Sequence, residues 1–491
     1  MKRLSGMYLL AVFLPFSLTQ TANATTVIML SDRELALDSQ IILTGEVRSV
    51  ISRWDDAREM IWTYVEIERD ILIKGNIAET TIVLKQPGGE VWPAGVEVFG
   101  QPKFATDQKV LLYLRSSRDG SLHVAHSFMG MFSIVKDASS GALTVVREFD
   151  NSRVEVRPRS DTQTITDRAP LEYYISNLKL TLQRESSEVD RIESERLSLP
   201  VYAVPAEYEK VRQITDGFTP HFAFMSGGVR WMQADSDEAI KFYVNAINSP
   251  VDGGGLAEMT RAMDAWSYRS GAAVWIVPFG QTSRCGLAVD NQNTISFGDC
   301  QKQLDSPANC AGVLARTQLA YSSSETKLVN GQLFKRLTDT DIVFNDGMDC
   351  FLKDPVNLAE VFCHELGHSI GLGHSSVSGA IMQPNAHFDG RDATLSDDDK
   401  TGVRAIYPRH GNSARPEIVG VKLKGTKKLT ISGQHFTATS LIMINGKIIK
   451  PKKFTEGGEV DSLLYKGKLN AVGANEVCVM SSGGRSELFY F

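Results

Sequence analysis

The strongest constraint on how this chain can fold is the run His364-Glu365-Leu366-Gly367-His368-Ser369-Ile370-Gly371-Leu372-Gly373-His374. Two histidines four residues apart share one face of an α-helix, about one turn along it. The spacing therefore predicts a helix through residues 360–370, with Asn357 just after Pro355 as the N-cap signal and Leu358, Val361, Phe362 and Leu366 as packing positions. Gly371 then lets the chain leave that helix through a backbone conformation other residues resist, which turns His374 back toward the first two histidines.

A chain of 491 residues holds about three folding units rather than one. Hydrophobic residues at 42% and charged residues at 22% are ordinary for globular proteins and exclude wholesale disorder. A formal charge of −6 gives no global positive field, so nucleic acid is not an expected partner. At the start, Lys2 and Arg3 precede an apolar stretch from Met7 to Leu18 and then Ala22-Asn23-Ala24. That pattern reads as a signal peptide over residues 1–24, cleaved after Ala24, because about 12 apolar residues fall short of the roughly 20 that span a bilayer. The expected location is secreted or extracellular, or periplasmic in a bacterium, with no membrane span. Five of six cysteines, Cys285, Cys300, Cys310, Cys350 and Cys363, fall between positions 285 and 363, and Cys478 stands apart. Export permits disulfides, and four of the five can form two bridges whose pairing the sequence does not fix.

Along the chain, residues 25–165 carry short β-branched runs (Ile41–Thr44, Thr63–Ile67, Thr81–Leu84, Val110–Leu114) separated by turn clusters, which predict an antiparallel β domain. His123 and His126 lie there without acidic or thiol neighbours in sequence and read as ordinary strand residues. Residues 166–227 form a connector, helical from Pro170 to Arg184 and then charged. Residues 228–410 alternate strands with helices: strands at Ile240–Val244, Val274–Val277 and Asp341–Phe344, and a helix with Leu256, Met259, Met263 and Trp266 on one face. Residues 411–491 turn β-like again, with a hairpin signal at Asn445-Gly446, and suit an immunoglobulin-like β-sandwich that could bind a protein or carbohydrate surface. The expected architecture is multidomain α+β.

Three neutral imidazoles bind one zinc ion and leave an open position for water. Glu365, beside the first histidine, is the residue type that takes a proton from such a water. His364, His368 and His374 are thus the metal candidates and Glu365 the catalytic candidate. The same run followed by Met382 resembles the zinc motif and Met-turn of the metzincin metallopeptidases, and Ser375, Ala380-Ile381-Met382-Gln383-Pro384 and Leu395–Asp399 leading to Tyr407 are similar to matrixin catalytic domains. The resemblance covers about 180 residues. It implies a twisted five-stranded sheet with two long helices, a cleft over one catalytic zinc, Met382 as an apolar floor and not a ligand, and a zinc-dependent endopeptidase acting on a protein or peptide.

The chain departs from that family in two places. Matrixins are typically latent through a propeptide cysteine, yet no cysteine precedes Cys285, and Arg284-Cys285-Gly286 sits inside the catalytic region, where it reads as half a disulfide. Any latency must then come from the N-terminal domain or the connector blocking the cleft without a thiolate. The loop that builds a second zinc site in many matrixins is also missing. Calcium is a candidate at Asp389, Asp392 or Asp397–Asp399, although acidic loops are usually just solvated. Cys363 precedes His364 but points about 100° away from it on a helix, which suits a disulfide to a loop better than a fourth ligand. The competing reading is an inactive metzincin-like scaffold in a surface binding or adhesion protein, which would need neither Glu365 nor all three histidines. Substrate preference is expected to depend on the wall after the Met-turn, Gln383 to Phe388.

Overall fold

The computed structural model describes residues 26–137, 141–147, 164–188, 222–408, 414–425, 427–467, 469 and 475–491. The expected signal peptide over residues 1–24 and most of the charged half of the connector lie outside these residues. What is described is mixed α/β and mostly sheet, with few helices.

The alternating runs between residues 228 and 410 assemble as a twisted sheet ordered Ile276–Gln281, Ile240–Asn245, Thr294–Phe297, Gln332–Phe344, Ala315–Val329. The first four strands are parallel to their neighbours and the fifth is antiparallel. Two helices pack on it, Leu256–Asp264 continuing as a π-helical turn to Arg269, and Pro355–Ser369. Met259, Met263 and Trp266 are buried as their spacing predicts, while Leu256 is exposed at the helix start. The expected strand at Val274 begins two residues later, at Ile276.

The sheet does not end at its fifth strand, as a five-stranded reading would have it. Strand Ala94–Val98 pairs antiparallel with Gln318–Ser322, and Gly89–Val91 continues beyond it. These two strands come from the N-terminal region, where Val27–Ile28 pairs instead with Gly312–Val313 and the remaining strands, joined by Arg168–Pro170 of the connector, form an eight-stranded sheet, antiparallel except where Leu84 meets Leu122. The single-unit arithmetic of length and local pattern could not reveal this lending of strands. A β-ladder is satisfied by whichever edge tertiary packing brings alongside.

The C-terminal region builds a four-stranded and a five-stranded sheet. Leu429, Ile431, Phe436, Ile442, Leu463, Val477 and Val479 form one cluster between them. Asn445 and Gly446, both at positive φ, close the hairpin in which Ile444 faces Lys447.

The disulfides are Cys285–Cys300 and Cys310–Cys350. The expected bridge from Cys363 does not form. Its thiol is fully buried and unbonded on the inner face of the helix, where it packs as a small apolar group.

Candidate active site

The helix Pro355–Ser369 carries the first two histidines. Its N-cap is Asp354, whose carboxylate accepts from Val356 N–H at 2.8 Å with Pro355 at the first helical position. Asn357, the predicted cap, lies inside the first turn and donates to Phe351 O instead. The helix ends where expected: Gly371 N–H reaches His368 O at 2.8 Å, with Gly371 at φ +102°. A Cβ there would collide with Val229 O, so both conformation and space call for glycine. The chain then enters the short strand Leu372–Ser375, which carries His374.

These elements bring the three imidazoles together, with one ligand atom from each within 4.8 Å of the others. His364 Nδ1 lies 2.7 Å from Ile381 O and His368 Nδ1 lies 2.8 Å from Leu372 O. A carbonyl only accepts, so each Nδ1 carries the hydrogen and each Nε2 presents a lone pair. The two Nε2 atoms stand 2.7 Å apart, and His374 Nε2 is buried with no hydrogen-bond partner. Burial holds all three rings neutral, His364 being pushed down to about 3. Neutral imidazoles with converging, unprotonated nitrogens are a donor set that fits a metal ion, and the residues present match what zinc requires.

Glu365 is fully buried beside them. Burial raises its carboxyl above the usual range, opposed by hydrogen bonds from Thr317 and Thr26. Thr317 Oγ1 donates to Oε2 at 2.6 Å, and Thr26 donates to Oε1 through both N–H, at 3.2 Å, and Oγ1, at 2.9 Å. Nothing local in the sequence joins Thr26 to Glu365.

Met382 is buried beneath the helix, and a Cβ at Gly367 would run into its sulfur and the Trp266 ring, so the glycine between the ligands admits this floor. The Met-turn is held from behind by Asp399, which accepts from Ile381 N–H at 2.8 Å and Met382 N–H at 3.1 Å while closing a capping box with Ser396. Sequence reading placed Asp399 in the matrixin-like run Leu395–Asp399 and among the calcium candidates, with no structural role. The Ser396-to-Asp399 capping spacing was the signal for its structural role. The other acidic candidates also have protein partners: Asp389 binds Arg391, Asp392 binds Arg261 and Asp398 accepts from Ser375 Oγ. Among the described residues, the one group of three or more histidine, cysteine or carboxylate side chains placed to share an ion is the histidine triad. Along the expected specificity wall, His387 Nδ1 meets the buried carboxylate of Glu360 at 2.8 Å, one helical turn before His364.

His123 and His126, read as ordinary strand residues without acidic neighbours, do acquire such neighbours by folding. His123 Nε2 contacts Asp305 at 3.0 Å and His126 Nε2 contacts Asp38 at 2.6 Å.

Residues 256–408 match the Matrixin family model. A stretch of 111 residues, 22% of this chain, is 50% identical to the interstitial collagenase of Oryctolagus cuniculus. The metalloendoproteinase 2-MMP of Arabidopsis thaliana is 35% identical over 103 residues, 21% of this chain and 26% of the relative. The matrilysin of Rattus norvegicus is 43% identical over 70 residues, 14% of this chain and 25% of the relative. The chain spans about a fifth of the length of the curated collagenases it matches, 22% and 18% for two of them. The chain therefore carries a matrixin-like catalytic domain of the metzincin type. Its similarity over that stretch is to metalloendopeptidases, and matrixins are zinc enzymes. Among the described residues, no helix is long and apolar enough to cross a membrane.

Proposed function

We propose that this protein is an exported zinc-dependent endopeptidase that hydrolyses peptide bonds of a protein or peptide substrate. The observation that carries the reading is the convergence of His364, His368 and His374 with Glu365 alongside. The three Nε2 atoms would hold the metal, their Nδ1 hydrogens fixed on the carbonyls of Ile381 and Leu372 in the two helical ligands. A zinc ion bound there would supply an acidified water and polarise the substrate carbonyl. Glu365 takes the proton from that water and returns it to the departing amine nitrogen. Thr317, bonded to one carboxylate oxygen, keeps the other turned toward the cleft. Two disulfides and the sequence signal over residues 1–24 support an oxidising compartment outside the cytosol.

Replacing Glu365 by Ala tests the assignment. Zinc content by atomic absorption should stay at one ion per chain, while cleavage of a quenched peptide library, measured in a Thr26→Val background that removes the hydroxyl bonded to the carboxylate, falls by about 10²- to 10⁴-fold. Unchanged turnover would remove Glu365 from its role. Zinc-loaded protein that cleaves nothing, with its cleft shown open to peptides, would favour the inactive scaffold.

A further inference from the structure

The edge of the catalytic sheet is already paired, from one end of the cleft to the other, by two segments of the N-terminal region. Ala94–Val98 runs antiparallel to Gln318–Ser322, and Phe99 N–H then donates to Thr317 O at 3.0 Å. The ring of Phe99 stacks on His368 with centroids 4.4 Å apart. Further along the same edge, Thr26 O accepts from Leu314 N–H at 2.9 Å, and Val27 and Ile28 pair antiparallel with Val313 and Gly312. Val27 also bonds the opposite wall: its N–H donates to Pro384 O at 2.9 Å and its carbonyl accepts from Ala386 N–H at 3.2 Å, in a parallel bridge to Asn385.

Both segments run in one direction along one edge. Between them the register leaves two edge residues, Ala315 and Arg316. That gap lies between the residue stacked on His368 and the residue bonded to Glu365. A single extended peptide laid along this edge would follow Ala94–Phe99 on one side and Thr26–Leu30 on the other. The nitrogen at Glu365 is that of Thr26, in the position where a departing amine would collect its proton. The segment is anchored, with Val27, Ile28, Met29 and Leu30 all buried.

We infer that Thr26–Leu30 and Ala94–Phe99 are the two halves of a built-in, peptide-like occupant of the catalytic cleft, which excludes other peptides until at least the Thr26–Leu30 half leaves. The inference rests on the cleft being a peptidase cleft. It names what latency here would consist of: main-chain pairing on both walls and a threonine on the base, without a thiolate.

The test uses the full zinc-loaded chain and a fluorescein-labelled peptide of residues 26–31, read by anisotropy, with amide hydrogen exchange over residues 26–30. Val27→Pro removes the N–H given to Pro384, and Thr26→Val removes the hydroxyl given to Glu365. Both variants should exchange faster at residues 26–30 and bind the labelled peptide about tenfold or more tighter than the wild type, the scale of one lost hydrogen bond. A wild type that binds the peptide as tightly as variants with loosened segments would overturn the inference. Library hydrolysis, measured in parallel, separates the two readings. Variants that gain peptide binding yet leave every form inactive would keep the occupant and discard the peptidase.

Discussion

The two β-rich regions flanking the catalytic sheet dispose of their apolar surface in opposite ways. The C-terminal strands turn their inner faces toward each other and close a core of their own. They meet the rest through a smaller cluster in which Leu441, Ile448 and Met480 join Trp275 and Val277. The N-terminal sheet is apolar on both faces, because its strands alternate between two cores. Leu43, Leu112 and Leu114 fall in a local cluster, while their neighbours Ile42, Leu111 and Tyr113 fall in the large core shared with the catalytic helices. A sheet buried on both faces cannot be lifted away without exposing what it covers. The difference teaches that one appendage is attached to the catalytic body and the other is part of it.

The sharpest way to break that comparison is a matched pair of core truncations. Phe99→Ala and Phe436→Ala should each cost about 3–5 kcal/mol, the usual price of emptying a buried aromatic site. All six tryptophans precede residue 276, and Trp275 packs against the C-terminal sheets while Trp231 and Trp266 lie in the shared core, so with Trp275 replaced by Phe the fluorescence reports the shared body. In denaturant, Phe99→Ala should move the tryptophan transition, while Phe436→Ala should move only a part of the circular dichroism change. Coincident shifts in both variants would show one cooperative unit and end the distinction.

A middle-sized effect probes the polar seam between the N-terminal and catalytic regions. Burial would raise the Asp305 carboxyl, but hydrogen bonds and charge from His123 and His126 outweigh it and hold the group well below the usual range. A depressed carboxyl contributes stability above its ordinary value near 4, and that stability is lost as pH falls toward its folded value. Asp305→Asn should therefore be less stable than wild type at pH 7, by about 1–3 kcal/mol, with the gap narrowing below about pH 4. Thermal unfolding from pH 7 to pH 3 measures it, and a gap that persists unchanged at the acid end would contradict the assigned cause.

The smallest effect belongs to the C-terminal contact. Arg485 reaches Asp264 at 2.7 Å with both side chains about a quarter exposed, 28% and 24%. Arg485→Ala should cost about 1 kcal/mol or less. A larger loss in the tryptophan transition would mean that the C-terminal sheets brace the catalytic body more than their contact suggests.

Much of the candidate site was legible because its determinants are local. The ligand spacing, the glycine at the helix exit and the Met-turn are within twenty residues of one another, and a helix converts such spacing directly into geometry. The misplaced N-cap came from weighing Asn357 over Asp354 when Pro355 already marked the first helical position. The Cys363 bridge failed for another reason: sulfur pairing depends on which loops arrive nearby, and the other four catalytic-region cysteines pair among themselves. The histidines at 123 and 126 looked partnerless because Asp305 lies 182 residues from the first of them.

By itself the sequence determined the helix that carries His364 and His368 and its exit, the residue types converging on the site, and several of the strands in the N-terminal and catalytic regions, since periodicity and turn chemistry act over a few residues. Only tertiary structure decided who stands at the cleft. Thr26 and Glu365 are 339 residues apart, and main-chain pairing along an edge carries almost no side-chain signature. An open strand edge accepts any extended backbone of suitable register, so which segment fills it is settled by packing across the whole molecule.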